Sequence, residues 1–165
     1  MLVFGVDPGT AITGYGIINE NDNSSLEMID CGAIRTPAGI PDWERLQILY
    51  TKIKQLLTLH QPDCGAVEKL YFQRNVTNAM TVGQARGVVL LAMAQDGMDV
   101  GEYTPLQVKQ AVVGYGKADK VQIQRMVTTL LCLTKPPTPD DVADALAVAI
   151  CHINSQKLLK LISES

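Results

Sequence analysis

Leu2-Val3-Phe4-Gly5-Val6-Asp7-Pro8-Gly9-Thr10 begins as a short apolar run and breaks on a turn signal. A run of that length stopped by Asp-Pro-Gly predicts a buried strand over residues 2–6 that ends in a turn. Residues 13–19 and 26–34 predict two more strands, separated by the polar turn at 20–25, so the three form an antiparallel meander. Over residues 42–60, Trp43, Leu46, Leu49, Tyr50, Ile53, Leu56 and Leu57 recur at helical spacing and predict an amphipathic helix. A fourth strand follows at 65–70, a long helix at 75–95, a fifth strand at 99–103, and helices at 105–113, 120–133 and 139–152. The order βββαβαβααα implies an α/β protein whose five-stranded mixed sheet is flanked by helices. Residues 1–154 are expected to form one domain. Residues 155–165 are expected to be a tail prone to fraying, with amphipathic character only in Leu158, Leu159, Leu161 and Ile162.

Composition narrows the class. A chain of 165 residues can bury roughly 70% of its unfolded surface, and 47% hydrophobic with 19% charged residues is a globular balance. Met1 leads straight into the first strand with neither a basic n-region nor a small-residue cleavage site, so a cytoplasmic protein without a signal peptide is expected. Cys31, Cys64, Cys132 and Cys151 lie far apart without a C-x-x-C pair, and all four read as reduced core residues. The longest apolar stretch, residues 87–94, is well short of the ~20 residues of a membrane span. A net charge of −3 argues mildly against nucleic acid. The average conceals an asymmetry, since residues 69–125 carry +3 and the remainder −6.

Three carboxylates, Asp7, Glu68 and Asp144, stand among residues that should be buried. Asp7 ends the first strand and Glu68 lies near the end of the fourth, each preceded by residues that should be buried, a costly placement unless a cation compensates. Turn chemistry is the alternative for Asp7, and an ion pair with Lys69 or a distant base for Glu68. In the last helix Thr138 is a candidate N-cap, Pro139 the first helical residue and Asp141 part of a capping-box-like pattern, which accounts structurally for Asp140 and Asp141. Asp144 has no such account, because it lies within Val142-Ala143-Asp144-Ala145-Leu146-Ala147, a segment apolar nearly all round. Asp141 and Asp144 are three apart and share a helix face near the N-terminus. All-oxygen donors without a competing His or Cys pattern suit a hard cation such as Mg²⁺. Two such ions ~4 Å apart would activate water and stabilise the leaving oxygen of a phosphodiester.

Taken together, the motifs resemble a known family. Phe4-Gly5-Val6-Asp7-Pro8-Gly9-Thr10 with Thr13-Gly14-Tyr15-Gly16 is similar to the opening of RuvC resolvases. Glu68-Lys69-Leu70-Tyr71-Phe72, Asn75 and Gly83-Gln84-Ala85-Arg86-Gly87 resemble their second block. Gln107-Val108-Lys109-Gln110, Val112-Val113-Gly114, Ala118-Asp119-Lys120 and Asp141-x-x-Asp144-Ala-Leu-Ala resemble the third and fourth. The resemblance runs in order over residues 1–153. It implies an RNase H-like fold, a homodimer, and paired symmetric nicks across a four-way (Holliday) junction in recombination and DNA repair. It also implies partners of the RuvA and RuvB branch-migration type. Carried over by motif, the catalytic metal-binding carboxylates are Asp7, Glu68, Asp141 and Asp144, with two Mg²⁺ per site and Mn²⁺ as a substitute. Lys120 is the implied active-site lysine and Lys109 a second basic contact. Tyr71 or its neighbour Phe72 is the implied junction-stacking aromatic, and Asn75 lies in the same DNA-facing block.

Independently of the family, Lys69, Arg74, Arg86, Lys109, Lys117 and Lys120 would neutralise phosphates around an acidic site. Gly83 and Gly87 flatten one patch of a helix, which suits either a dimer seam or tight packing on the sheet. Asp7-Pro8-Gly9-Thr10 also resembles the first phosphate loop of actin-like phosphotransferases, but these need a second phosphate loop and a second lobe. A non-cleaving junction-binding module is a third reading, disfavoured by the complete carboxylate set.

Overall fold

A computed structural model describes residues 1–69 and 76–163 of the chain. Its elements run β1 Leu2–Asp7, β2 Ile12–Glu20, β3 Leu26–Arg35, α1 Asp42–His60, β4 Cys64–Glu68, α2 Val76–Gln95, β5 Asp99–Tyr103, α3 Pro105–Val113, α4 Lys120–Leu130 and α5 Asp140–Ser163. The sheet order is β3-β2-β1-β4-β5. The meander β1–β2–β3 is antiparallel, while β4 and β5 continue it in parallel beside β1. The expected mixed α/β sheet is therefore present. The last helix starts at Asp140 rather than Pro139 and runs on to Ser163 rather than stopping at His152.

Alternation along the strands sorts side chains onto two faces. Phe4, Val6, Ile17 and Val67 pack with Leu49, Ile53 and Leu57 of α1 and with Ala85, Val89, Ala92 and Met93 of α2. On the other face Val3, Ile18, Cys64 and Ala66 meet α5, which is covered in turn by α3 and α4. Because α5 has neighbours on both sides, Ala145 through Ile153 is buried without interruption. Full burial of one Leu or Ile side chain contributes roughly 1.5–3 kcal/mol. Helix α5 is long and apolar enough to cross a membrane by length and composition, but here that apolarity makes it the central helix of the core.

Glycines let α5 lie almost on the sheet. Gly5 and Gly16 are cross-strand partners, as are Asp7 and Gly14. A Cβ at Gly5 would overlap the Ala145 carbonyl and Ala149, one at Gly14 the Asp141 backbone, and one at Gly16 the Leu146 side chain. By contrast a Cβ at Gly87 would meet nothing, so that glycine is not there for tight packing within the chain.

The cysteine expectation needs one correction. Cys64 and Cys151 are buried, with burial pushing both thiols up to about 11, but Cys31 is half-buried and Cys132 is exposed. Cys132 sits in the turn after α4 at φ 50°, outside the packed core. His152 is buried within α5 and kept neutral by desolvation. Its two ring nitrogens face Cys64 Sγ at 3.3 Å and the Tyr103 hydroxyl at 2.9 Å, so it is a satisfied core residue.

Candidate active site

Asp7 and Glu68 end neighbouring parallel strands, one step beyond the pair Val6↔Val67. Alternation through Val3-Gly5-Asp7 and Cys64-Ala66-Glu68 turns both carboxylates toward α5. The close approach of α5 over Gly5 and Gly14 then sets Asp144 beside them. A cleft of about 340 Å³ results, lined by Asp7, Glu68, Asp144, Lys109, Lys120, Pro105, Val108 and Ile123. Asp141, one turn before Asp144, is half-buried and close enough to Asp7 for its charge to be felt there. Asp140 is held elsewhere: it is exposed, and Gln124 of α4 donates from Nε2 to its Oδ1 at 3.1 Å.

The electrostatics record crowded negative charge. Burial first, then the charges of Asp144, Glu68 and Asp141, push Asp7 up to about 7, with Lys120 opposing. Burial likewise raises Glu68, reinforced by Asp144 and opposed by Lys109 and Lys120. Asp144 is raised by burial, with Lys120 pulling the other way and Asp140 and Asp141 adding repulsion. Lys120 Nζ stands 3.6 Å from Asp144 Oδ2. It is placed there as the first residue of α4, whose N-cap Asp119 forms a reciprocal capping box with Gln122. The donors are all carboxylate oxygens, a set that fits a hard divalent cation. Among the described residues no three His, Cys, Asp or Glu side chains are gathered into a ligand cluster as they stand. The carboxylates thus share the cleft as separate charges.

The remaining predicted contacts divide. Lys109 of α3 lines the cleft, and Lys117 is exposed on the loop before α4. Arg86 does not face the cleft opening: its Nε donates to the Glu68 carbonyl at 3.2 Å, and its guanidinium pairs with Glu102. Tyr71, Phe72, Arg74 and Asn75 lie outside the described residues. The cleft walls Pro105, Val108 and Ile123 and the stripe of Gly5, Gly14 and Gly16 are not among the site residues predicted from the sequence. The spacing of Gly14 and Gly16, two apart on one strand face, was the available signal for the latter.

Residues 3–152 match the family described as crossover junction endodeoxyribonuclease RuvC. The chain belongs to that family. It is 58% identical over 152 residues to the RuvC of Pelotomaculum thermopropionicum, covering 92% of each chain. Against the RuvC of Desulfitobacterium hafniense (strain DCB-2) it is 59% identical over 159 residues, covering 96% of each. The solved structure of Thermus thermophilus RuvC in complex with Holliday junction substrate superposes with a TM-score of 0.87 at 31% identity, covering 96% of both chains. RuvC proteins are metal-dependent nucleases, and the five-stranded sheet with flanking helices is their RNase H-like fold. As a family member the chain is an endonuclease that hydrolyses phosphodiester bonds in DNA.

Proposed function

We propose that this RuvC protein resolves four-way DNA junctions by paired symmetric nicks, using Mg²⁺, two ions per site, held by Asp7, Glu68, Asp144 and Asp141. The observation that carries the reading is the meeting of Asp7, Glu68 and Asp144 from three separate elements in one cleft with Lys109 and Lys120. When bound, the ions supply the activation of water and the stabilisation of the leaving 3′ oxygen. The chain's own residues do the rest. Burial, and after it the neighbouring charges of Asp144, Glu68 and Asp141, raise Asp7 to about 7, and a bound cation would offset both, so the site is built for positive charge. Lys120 and Lys109 offset the carboxylates and meet the phosphate that must enter an acidic cleft. Tyr71 or Phe72, following Glu68 as β4 ends, stacks on an unpaired base at the junction centre, worth ~1–3 kcal/mol.

A junction has two-fold symmetry, so paired nicks need two active sites related by the same axis. The α2 surface suits that seam: Met80 is 66% and Leu91 53% exposed, with open space at Gly87 between them. Docking of RuvA- and RuvB-type proteins and a cytoplasmic location belong to the same reading. The decisive experiment is Mg²⁺-dependent cleavage of a mobile four-way junction. Symmetric nicks on the junction, with linear duplex uncut, support the reading; equal cutting of duplex, or binding without cutting, overturns it.

A further inference from the structure

The strand end that carries Glu68 is braced from the far side of the sheet. β4 makes its last ladder pair at Glu68↔Tyr103, and the Lys69 N–H donates to the Tyr103 carbonyl at 2.7 Å. The Glu68 carbonyl accepts from Arg86 Nε at 3.2 Å, while the same guanidinium pairs through Nη2 with the Glu102 carboxylate. Glu102 pairs in register with Val67 on β5, and alternation places both on the α2 side, opposite the Glu68 carboxylate. The arginine therefore grips the backbone behind Glu68 and joins α2, β4 and β5 at the point where β4 leaves the sheet. Its side chain is only 19% exposed, and a planar guanidinium fork fixes two directions at once where a lysine would fix one.

That grip opposes a specific force. Glu68 faces Asp144 across the cleft, so without a cation the like charges push this strand end outward. A strand terminus held only by its last ladder bonds would yield to that push. We propose that Arg86 and Glu102 are positioning residues that hold Glu68 at the separation from Asp7 and Asp144 at which a divalent cation is shared, and that Arg86 is not a phosphate contact. The inference rests on reading the cleft as a metal site.

Arg86→Gln tests it by sign. If the arginine were a bystander, removing a positive charge near an acidic site would tighten cation binding. As a brace, its loss should weaken Mn²⁺ binding to the DNA-free protein by about tenfold in calorimetry, and Glu102→Gln should weaken it by at least threefold. The melting-temperature rise that saturating Mn²⁺ confers should shrink in both variants. Metal-free junction binding, measured at two salt concentrations, should match the unaltered chain. Unchanged or tighter Mn²⁺ binding in Arg86→Gln overturns the proposal, as does weaker junction binding with the salt slope reduced by about one. If Arg86→Gln does not fold, Glu102→Gln decides by the same criteria. Failure of the unaltered chain to bind Mn²⁺ would instead overturn the metal-site reading itself.

Discussion

On the α2 side of the sheet, Phe4, Val6, Ile17 and Val67 project into α1 and α2, and large side chains set the spacing. On the α5 side the same strands offer Gly5, Gly14 and Gly16, and the helix backbone comes down to fill the gap. The strand-end carboxylates that line the cleft, Asp7 and Glu68, stand on the second side. The difference has a physical reason. A side-chain core can relax around a change, whereas helix backbone against strand backbone fixes position, and a charged site needs fixed positions to resist its own repulsion.

The hardest test of this contrast is Asp144→Asn. We expect junction cleavage to fall about a thousandfold or more, equivalent to about 4 kcal/mol of transition-state stabilisation, with junction binding largely kept. Val89→Ala, on the α2 side, should cost about 2 kcal/mol of stability yet leave the folded enzyme active. Loss of junction binding together with cleavage in Asp144→Asn would remove Asp144 from the proposed ligand set.

The second test is pH. Asp7 is raised from 3.8 to about 7 in the folded chain, so the folded state holds that proton more tightly than the unfolded one. Below pH 3.8 both states are protonated and the stabilisation is complete. As pH rises toward 7 the unfolded chain ionises first and stability is lost; above 7 the curve flattens. The ceiling is of order 4 kcal/mol for the metal-free protein. Glu68 and Asp144, also raised, act in the same direction. Denaturant titrations without metal between pH 4.5 and 8 should show the decline, and Asp7→Asn should lessen it. A flat profile for the unaltered chain would show that Asp7 is neither buried nor crowded by like charge in solution.

Third, backbone and side-chain packing can be compared with one added methyl. Gly5→Ala must displace the Ala145 carbonyl, whereas Gly65→Ala is crowded by the thioether end of Met93 and touches Val100 at ordinary contact distance. The first should destabilise by about 3 kcal/mol and the second by less than about 1, because methionine adjusts. Similar costs at the two positions would erase the contrast.

How much of this was legible in the sequence follows the same line. Strand and helix order could be read from periodicity, and Asp144 stood out because a charge interrupts an otherwise apolar helix. The close approach of α5 was not read, since glycine looks like a weakness in a strand until its partner is known. The charge of Arg86 alone suggests a phosphate contact; the Glu68 carbonyl and Glu102, 18 and 16 residues away, meet it only through the fold. The extension of α5 beyond His152 was missed because Asn154, Ser155 and Gln156 interrupt the apolar pattern. The helix passes through them, aided by a bond from Asn154 Nδ2 to the Ala111 carbonyl at 3.1 Å.

The smallest effect expected separates two adjacent residues that sequence alone left ambiguous. Asp140 and Asp141 both lie in the first turn of α5, where either carboxylate is favoured by the helix dipole. Only Asp141 adds to the repulsion at Asp7; Asp140 is exposed and engaged by Gln124. Asp140→Asn keeps an oxygen able to accept that bond, so its stability change should stay within about 0.5 kcal/mol. It does remove a charge that raises Asp144, but the charge is solvent-exposed and therefore well screened. Cleavage should remain within about twofold of the unaltered chain, while Asp141→Asn should lose about tenfold or more, at least ~1.4 kcal/mol. If Asp140→Asn proves the more damaging of the two, the ligand from this turn is Asp140 and the face of α5 turned to the metal is one residue away from the one proposed.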